Sequence, residues 1–128
     1  MGKRGKHARR SVAAATELCD LCARTFPAQE AVRGHVADSS AVHPDDPLHD
    51  GLRRVTACCE AHLELVRAAY RQRPFVQEEL WAGKISRVLT SRRPVLALRE
   101  LACRTGLDEL DIRRAIAWHN ERRRRMDA

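Results

Sequence analysis

Cys19 and Cys22 form a Cys-x2-Cys pair, and Cys58, Cys59 and His62 form a second tight group further along. Together they offer four soft donors, the complement of one tetrahedral zinc ion. Cys59-x2-His62 would place both donors on one helical turn, and so would Cys58-x3-His62. Cys59 is preferred because its spacing mirrors the first pair; Cys58 is the alternative. The expected ligand set is therefore Cys19, Cys22, Cys59 and His62, with one zinc per chain. Four protein ligands close the coordination sphere, which marks a structural ion. A catalytic zinc keeps a position open for water. The competing reading makes Cys58 and Cys59 small buried hydrophobes and His62 a helix-surface residue. Cys103 has no Cys or His beside it in sequence and reads as core packing.

Elements must hold these groups. Ser11 can cap a short helix through Glu17. Cys19–Cys22 then reads as a knuckle, a tight turn whose amides point at the thiolates. Val32–Val36 alternates like a strand. Residues 38–51 carry two prolines, Gly51 and several Asp and Ser residues, so they form a turn-rich loop. Leu52–Ala57 reads as a second strand that delivers Cys58 and Cys59 to a helix from about Glu60 to Arg71. Pro74 breaks the pattern and can sit in the first turn of the next helix. Further helices are expected over Val95–Thr105, ended by Gly106, and from Asp108 or Glu109 onward. Knuckle, hairpin and helix N-terminus, in that order, make a treble-clef finger. The fold class is α+β and mostly helical: a small treble-clef zinc finger over residues 11–73, then a helical part over 74–121.

The chain has 128 residues and a net charge of +7. That charge sits in its ends. Lys3, Arg4, Lys6, Arg9 and Arg10 make residues 1–10 a basic disordered arm, and Arg122, Arg123, Arg124 and Arg125 make 122–128 a basic tail. Basic arms of this kind seek phosphate; solvated ends are the plainer reading. The cysteine count is odd, no secretory core precedes it, and no apolar run suffices to span a bilayer. A reducing cytoplasm without membrane attachment is expected, where paired cysteines favour metal over disulfide. Arg outnumbers Lys by 21 to 3, which points to a GC-rich bacterial genome.

The order Cys19-x2-Cys22, His35, a Pro- and Gly-bearing loop, then Cys and His on a helix resembles the zinc-containing HNH endonucleases over residues 17–70. The resemblance implies a general base at His35. Carboxylates and imidazoles of the loop, Asp45, Asp46, His49 and Asp50, would then hold a divalent cation. The sequence departs from that family on the helix: Leu63, not His, follows His62. The helix-borne catalytic His is missing once His62 is committed to zinc.

Leu98–Thr105, a Gly-Leu turn and the helix after it have the outline of a helix-turn-helix. Asp108, Glu109 and Asp111 open the last helix with negative charge, which stabilises a helix N-terminus but repels DNA. Arg113, Arg114 and Arg122–Arg125 are then the expected phosphate contacts. The leading expectation is a non-enzymatic, zinc-stabilised module that binds nucleic acid. An HNH-like nuclease acting through His35 is the alternative. A protein-interaction adaptor that docks a partner through the acidic helix is a second alternative.

Overall fold

A computed structural model describes residues 15–127 apart from Leu96. The basic arm, with Lys3, Arg4, Lys6, Arg9 and Arg10, lies outside the described residues, as does most of the helix expected from Ser11. Among the described residues the architecture is α+β, with two small antiparallel sheets, four α-helices and two short 3-10 helices, about 52% of these residues being helical. The strands are β1 (Thr16–Leu18), β2 (Thr25–Pro27), β3 (Val32–Ala37) and β4 (Leu52–Ala57). The helices are α1 (Glu60–Arg71), α2 (Gln77–Leu89), α3 (Leu98–Thr105) and α4 (Glu109–Asp127). The chain divides into two compact units: residues up to 36 with 54–73, and 37–53 with 74 onward.

In the first unit β1 pairs antiparallel with β2, Glu17 opposite Phe26. Thr16 and Glu17, expected at the end of a helix, are therefore strand. The pairing leaves Cys19–Arg24 as the turn, closed by the Cys19 amide on the Arg24 carbonyl at 2.9 Å. The second sheet pairs β3 with β4, and the division between the units falls within these two strands. The unit's core consists of Cys19, Phe26, Val36, Val55, Ala57, Leu63 and Val66. One aromatic ring and several small side chains make a thin core, of the kind that a metal cross-link usually supplements.

The second unit has its own core of Ile85, Val88, Leu101, Leu107, Ile112 and Ala115, with Trp81 packed against it. Ile112 and Ala115 come from α4 at spacing three, the helical period of a buried stripe. Three corrections to the sequence reading apply here. The turn-rich loop belongs to this unit, because Asp50 binds Arg87 and Ser39 binds Glu79, both on α2. Pro74 precedes α2 without joining it; Val76 is the N-cap. The tail expected over 122–128 is helix as far as Asp127, its residues forming a little under the last two turns of α4.

Two glycines are required by the backbone. Gly106 ends α3 at φ 75°, the left-handed conformation that a side chain disfavours. Gly51 adopts φ 81° with the Phe75 and Leu80 side chains against it, so a Cβ there meets both strain and contact. Cys103 is exposed on α3, contrary to a core role.

Candidate functional site

The knuckle brings its sulfurs to β4 through one acidic side chain. The Asp20 amide donates to the Thr56 carbonyl at 2.9 Å, and the Thr56 amide donates to the Asp20 carboxylate at 2.7 Å. This clamp sets the turn against the residues just before α1. Nothing in the sequence pattern marked Asp20, because its partner lies 36 positions away.

Cys19, Cys22, Cys58 and His62 converge there, their donor atoms all within 4.8 Å of one another. Cys58 Sγ lies 3.3 Å from His62 Nδ1, Cys19 Sγ lies 3.8 Å from the same nitrogen, and Cys22 Sγ lies 4.0 Å from Cys58 Sγ. Tetrahedral zinc with ordinary bond lengths would separate two sulfurs by about 3.8 Å and a sulfur from a nitrogen by about 3.6 Å. The four donors thus lie close enough to hold a metal ion. Cys59, the preferred ligand on sequence grounds, is not among them. It is the N-cap of α1 in extended conformation, and the 58,62 pair, four apart, meets instead.

The electrostatics of the cluster fit a cation. Cys19 is buried, which opposes ionisation. The amides of Cys22, Leu21 and Cys58, with His62, outweigh that and bring its pKa down to about 5. Cys58 goes the other way, pushed up to about 12 by desolvation and by sharing its surroundings with Cys19, Cys22 and Cys59. Crowded thiols with one stabilised negative charge form a donor set that a divalent ion would satisfy. Such an ion would be held by Cys19, Cys22, Cys58 and His62 and would cross-link the knuckle to α1. With four protein donors it would have no open position for substrate.

Ala23 closes the knuckle at φ 62°, where L-residues are strained. Ala23→Gly is expected to raise the stability of the folded chain by roughly 0.5–1 kcal/mol, since strain relief exceeds the added freedom of the unfolded state. Urea unfolding of the two proteins checks this; an equal or lower midpoint for the glycine variant contradicts it.

His35 is exposed on β3. The loop groups that a nuclease reading would use are engaged within the second unit. Asp50 binds Arg87 through both oxygens, at 2.6 and 2.8 Å, and accepts from the His43 amide. Asp46 accepts from the Leu48 amide and pairs with His49 at 2.8 Å. His43 Nδ1 accepts from the amides of Asp45 and Asp46. Among the described residues these groups form no metal-holding cluster.

The basic residues of α4 are arranged by phase. At about 100° per residue, Arg113, Arg114, Arg124 and Arg125 fall within one sector of about 120°, with Leu110, Ala117 and Glu121. All seven are exposed, and the buried Ile112 and Ala115 point the other way. Glu121 binds Arg124 at 3.2 Å and Arg125 at 3.5 Å, so the stripe keeps a net positive charge. The acidic first turn lies off this sector. Asp108 accepts from the Asp111 amide at 2.8 Å and so caps the helix. Arg122 turns aside to Glu79 at 2.6 Å, with its guanidinium 5.3 Å from the centre of the Trp118 ring. Arg123 is exposed outside the stripe. Among the described residues no helix is long and apolar enough to cross a membrane.

No protein-family model matches the chain, and no curated protein or solved structure matches it either.

Proposed function

We propose that the chain is a non-enzymatic nucleic-acid-binding module. In this reading a treble-clef finger is held by one structural zinc on Cys19, Cys22, Cys58 and His62. The observation that carries the binding role is the exposed stripe of Arg113, Arg114, Arg124 and Arg125 on one face of α4. Four guanidiniums spread along about 18 Å of helix suit an extended run of phosphates better than they suit a compact anion. The closed donor set supports a structural metal over a reactive one. The engagement of Asp50 with Arg87 weighs against the HNH-like alternative, because it occupies a carboxylate that the cutting site would need. The capping role of Asp108 weighs against an adaptor that offers that carboxylate to a partner.

Fluorescence anisotropy with labelled oligonucleotides tests the reading. Affinity should fall steeply with salt, the logarithmic slope being about 0.9 per phosphate contacted on a duplex and about 0.7 on a single strand. Replacing all four stripe arginines with Gln should flatten that slope by about three. A slope unchanged by the replacement rejects the stripe as the interface. Mn²⁺-dependent nicking of plasmid that is lost on His35→Ala would replace the reading with the nuclease.

A further inference from the structure

A cleft of about 390 Å³ lies beside the α4 stripe, lined by Pro74, Val76, Glu79, Trp118, Glu121, Arg122 and Arg125. Its size is within the range of sites that take small organic groups, about 300–1,000 Å³. We propose that this cleft takes an unpaired nucleobase stacked on Trp118, while the arginines of the stripe hold the flanking phosphates, so that the ligand is single-stranded nucleic acid. The proposal rests on the nucleic-acid reading above and names its substrate class.

Charge within the cleft selects the kind of occupant. Glu79 and Glu121 are matched by Arg122 and Arg125, so neither a free anion nor a free cation is favoured. Arg122 already fills the cationic role: it lies over Trp118 and on the Glu79 carboxylate. The Glu79 carboxylate is fixed further by the Ser39 hydroxyl at 2.6 Å. What the walls still offer is a half-buried indole that Arg122 covers on one face, the apolar edges of Pro74 and Val76, and hydrogen-bonding groups held in place. A planar, neutral ring with a polar edge meets all three. Every base has such a face, and stacking on an aromatic side chain tolerates any sequence.

Continuity with the stripe selects the polymer. Arg125 and Glu121 belong both to the cleft lining and to the exposed basic sector of α4. A strand whose phosphates follow Arg113, Arg114 and Arg124 therefore passes the mouth of the cleft at Arg125. A duplex keeps its bases stacked inward and presents none to Trp118. A single strand can turn one out without unpairing it.

The test compares a short single-stranded DNA, its RNA counterpart and the same sequence as a duplex, all at about 50 mM salt so that phosphate contacts are strong. A Trp81→Phe background leaves Trp118 as the remaining tryptophan. Single strands should bind more tightly than the duplex and quench Trp118 emission. Trp118→Ala should weaken single-strand binding about tenfold or more and leave duplex binding unchanged, while Trp118→Phe keeps most of the affinity. Val76→Phe fills the cleft with Trp118 in place, and it should reproduce the loss if the alanine variant is poorly folded. Equal affinity for single strand and duplex overturns the proposal. So does wild-type single-strand binding by folded Trp118→Ala and Val76→Phe. Duplex binding that depends on the arginine stripe, with no effect at Trp118, leaves the nucleic-acid reading standing and removes the base site alone. No binding of either form removes both.

Discussion

Chelating the metal at neutral pH should unfold residues 15–36 and 54–73 while α2, α3 and α4 keep most of their helical signal. The first unit's buried core amounts to Phe26, Leu63, three valines, Ala57 and Cys19. A core of that size leaves little margin, and whole domains are stable by only about 5–15 kcal/mol. Structural zinc in small fingers contributes an apparent 10–16 kcal/mol at neutral pH, more than such a unit has to spare. The second unit closes its own core without the metal cluster. Cys58→Ser should act as chelation does, because the loss of one donor reopens the cluster. Metal binding also has to displace the proton of Cys58, whose pKa is pushed up to about 12. Affinity should therefore rise with pH from neutral into the alkaline range, the sign expected when bound metal competes with a proton. Far-UV circular dichroism before and after chelation, with zinc added back, measures the effect. A spectrum and melting curve indifferent to the chelator would show that the core holds by itself.

Asp50→Ala should cost the second unit about 3 kcal/mol. The Asp50 side chain is only 3% exposed and meets Arg87 through two parallel bonds. One Arg87 nitrogen also donates to the His43 carbonyl at 2.7 Å. Removing the carboxylate leaves a partly buried guanidinium without its counter-charge, and breaking buried pairs from one side typically costs about 3–5 kcal/mol. Arg87 retains some solvent contact, so the lower end applies. The same change frees the His43 amide, so the loop should loosen along with the loss of stability. A double-mutant cycle with Arg87→Ala, read by urea unfolding, isolates the pair. A coupling of about 2 kcal/mol is expected. Additive single effects would mean that the loop is held by other contacts.

The Cys/His donor cluster was largely legible in sequence because its spacing is covalent. Two residues between Cys19 and Cys22 dictate a knuckle, and the Cys/His group announces a helix start. The choice between Cys58 and Cys59 was not legible. Spacings of three and four share a helix face, and only the extended backbone of Cys59 as N-cap decides which sulfur turns inward. The helices after residue 74 followed from apolar period, Gly106 and Asp108. The start of α3, at Leu98 and not Val95, and the run of α4 to Asp127 did not, because such ends depend on partners far away in sequence. Arg122–Arg125 read as a solvated charge run, yet they continue α4. Pairs from Glu121 to Arg124 and Arg125 support the turn locally, and Arg122 reaches Glu79, 43 positions away. The turn-rich loop was recognisable by its prolines and aspartates. Its attachment to α2 through Asp50 and Arg87 was not, since a single ion pair over a long separation leaves no periodic mark. Asp20, the clamp between knuckle and β4, escaped for the same reason.

The most direct measurement is the zinc content of the purified chain by native mass spectrometry, with Cys58→Ser and Cys59→Ser alongside. The account predicts one zinc per chain, lost in Cys58→Ser and kept in Cys59→Ser. A folded chain without metal, or one that loses zinc with Cys59→Ser and keeps it with Cys58→Ser, would contradict it.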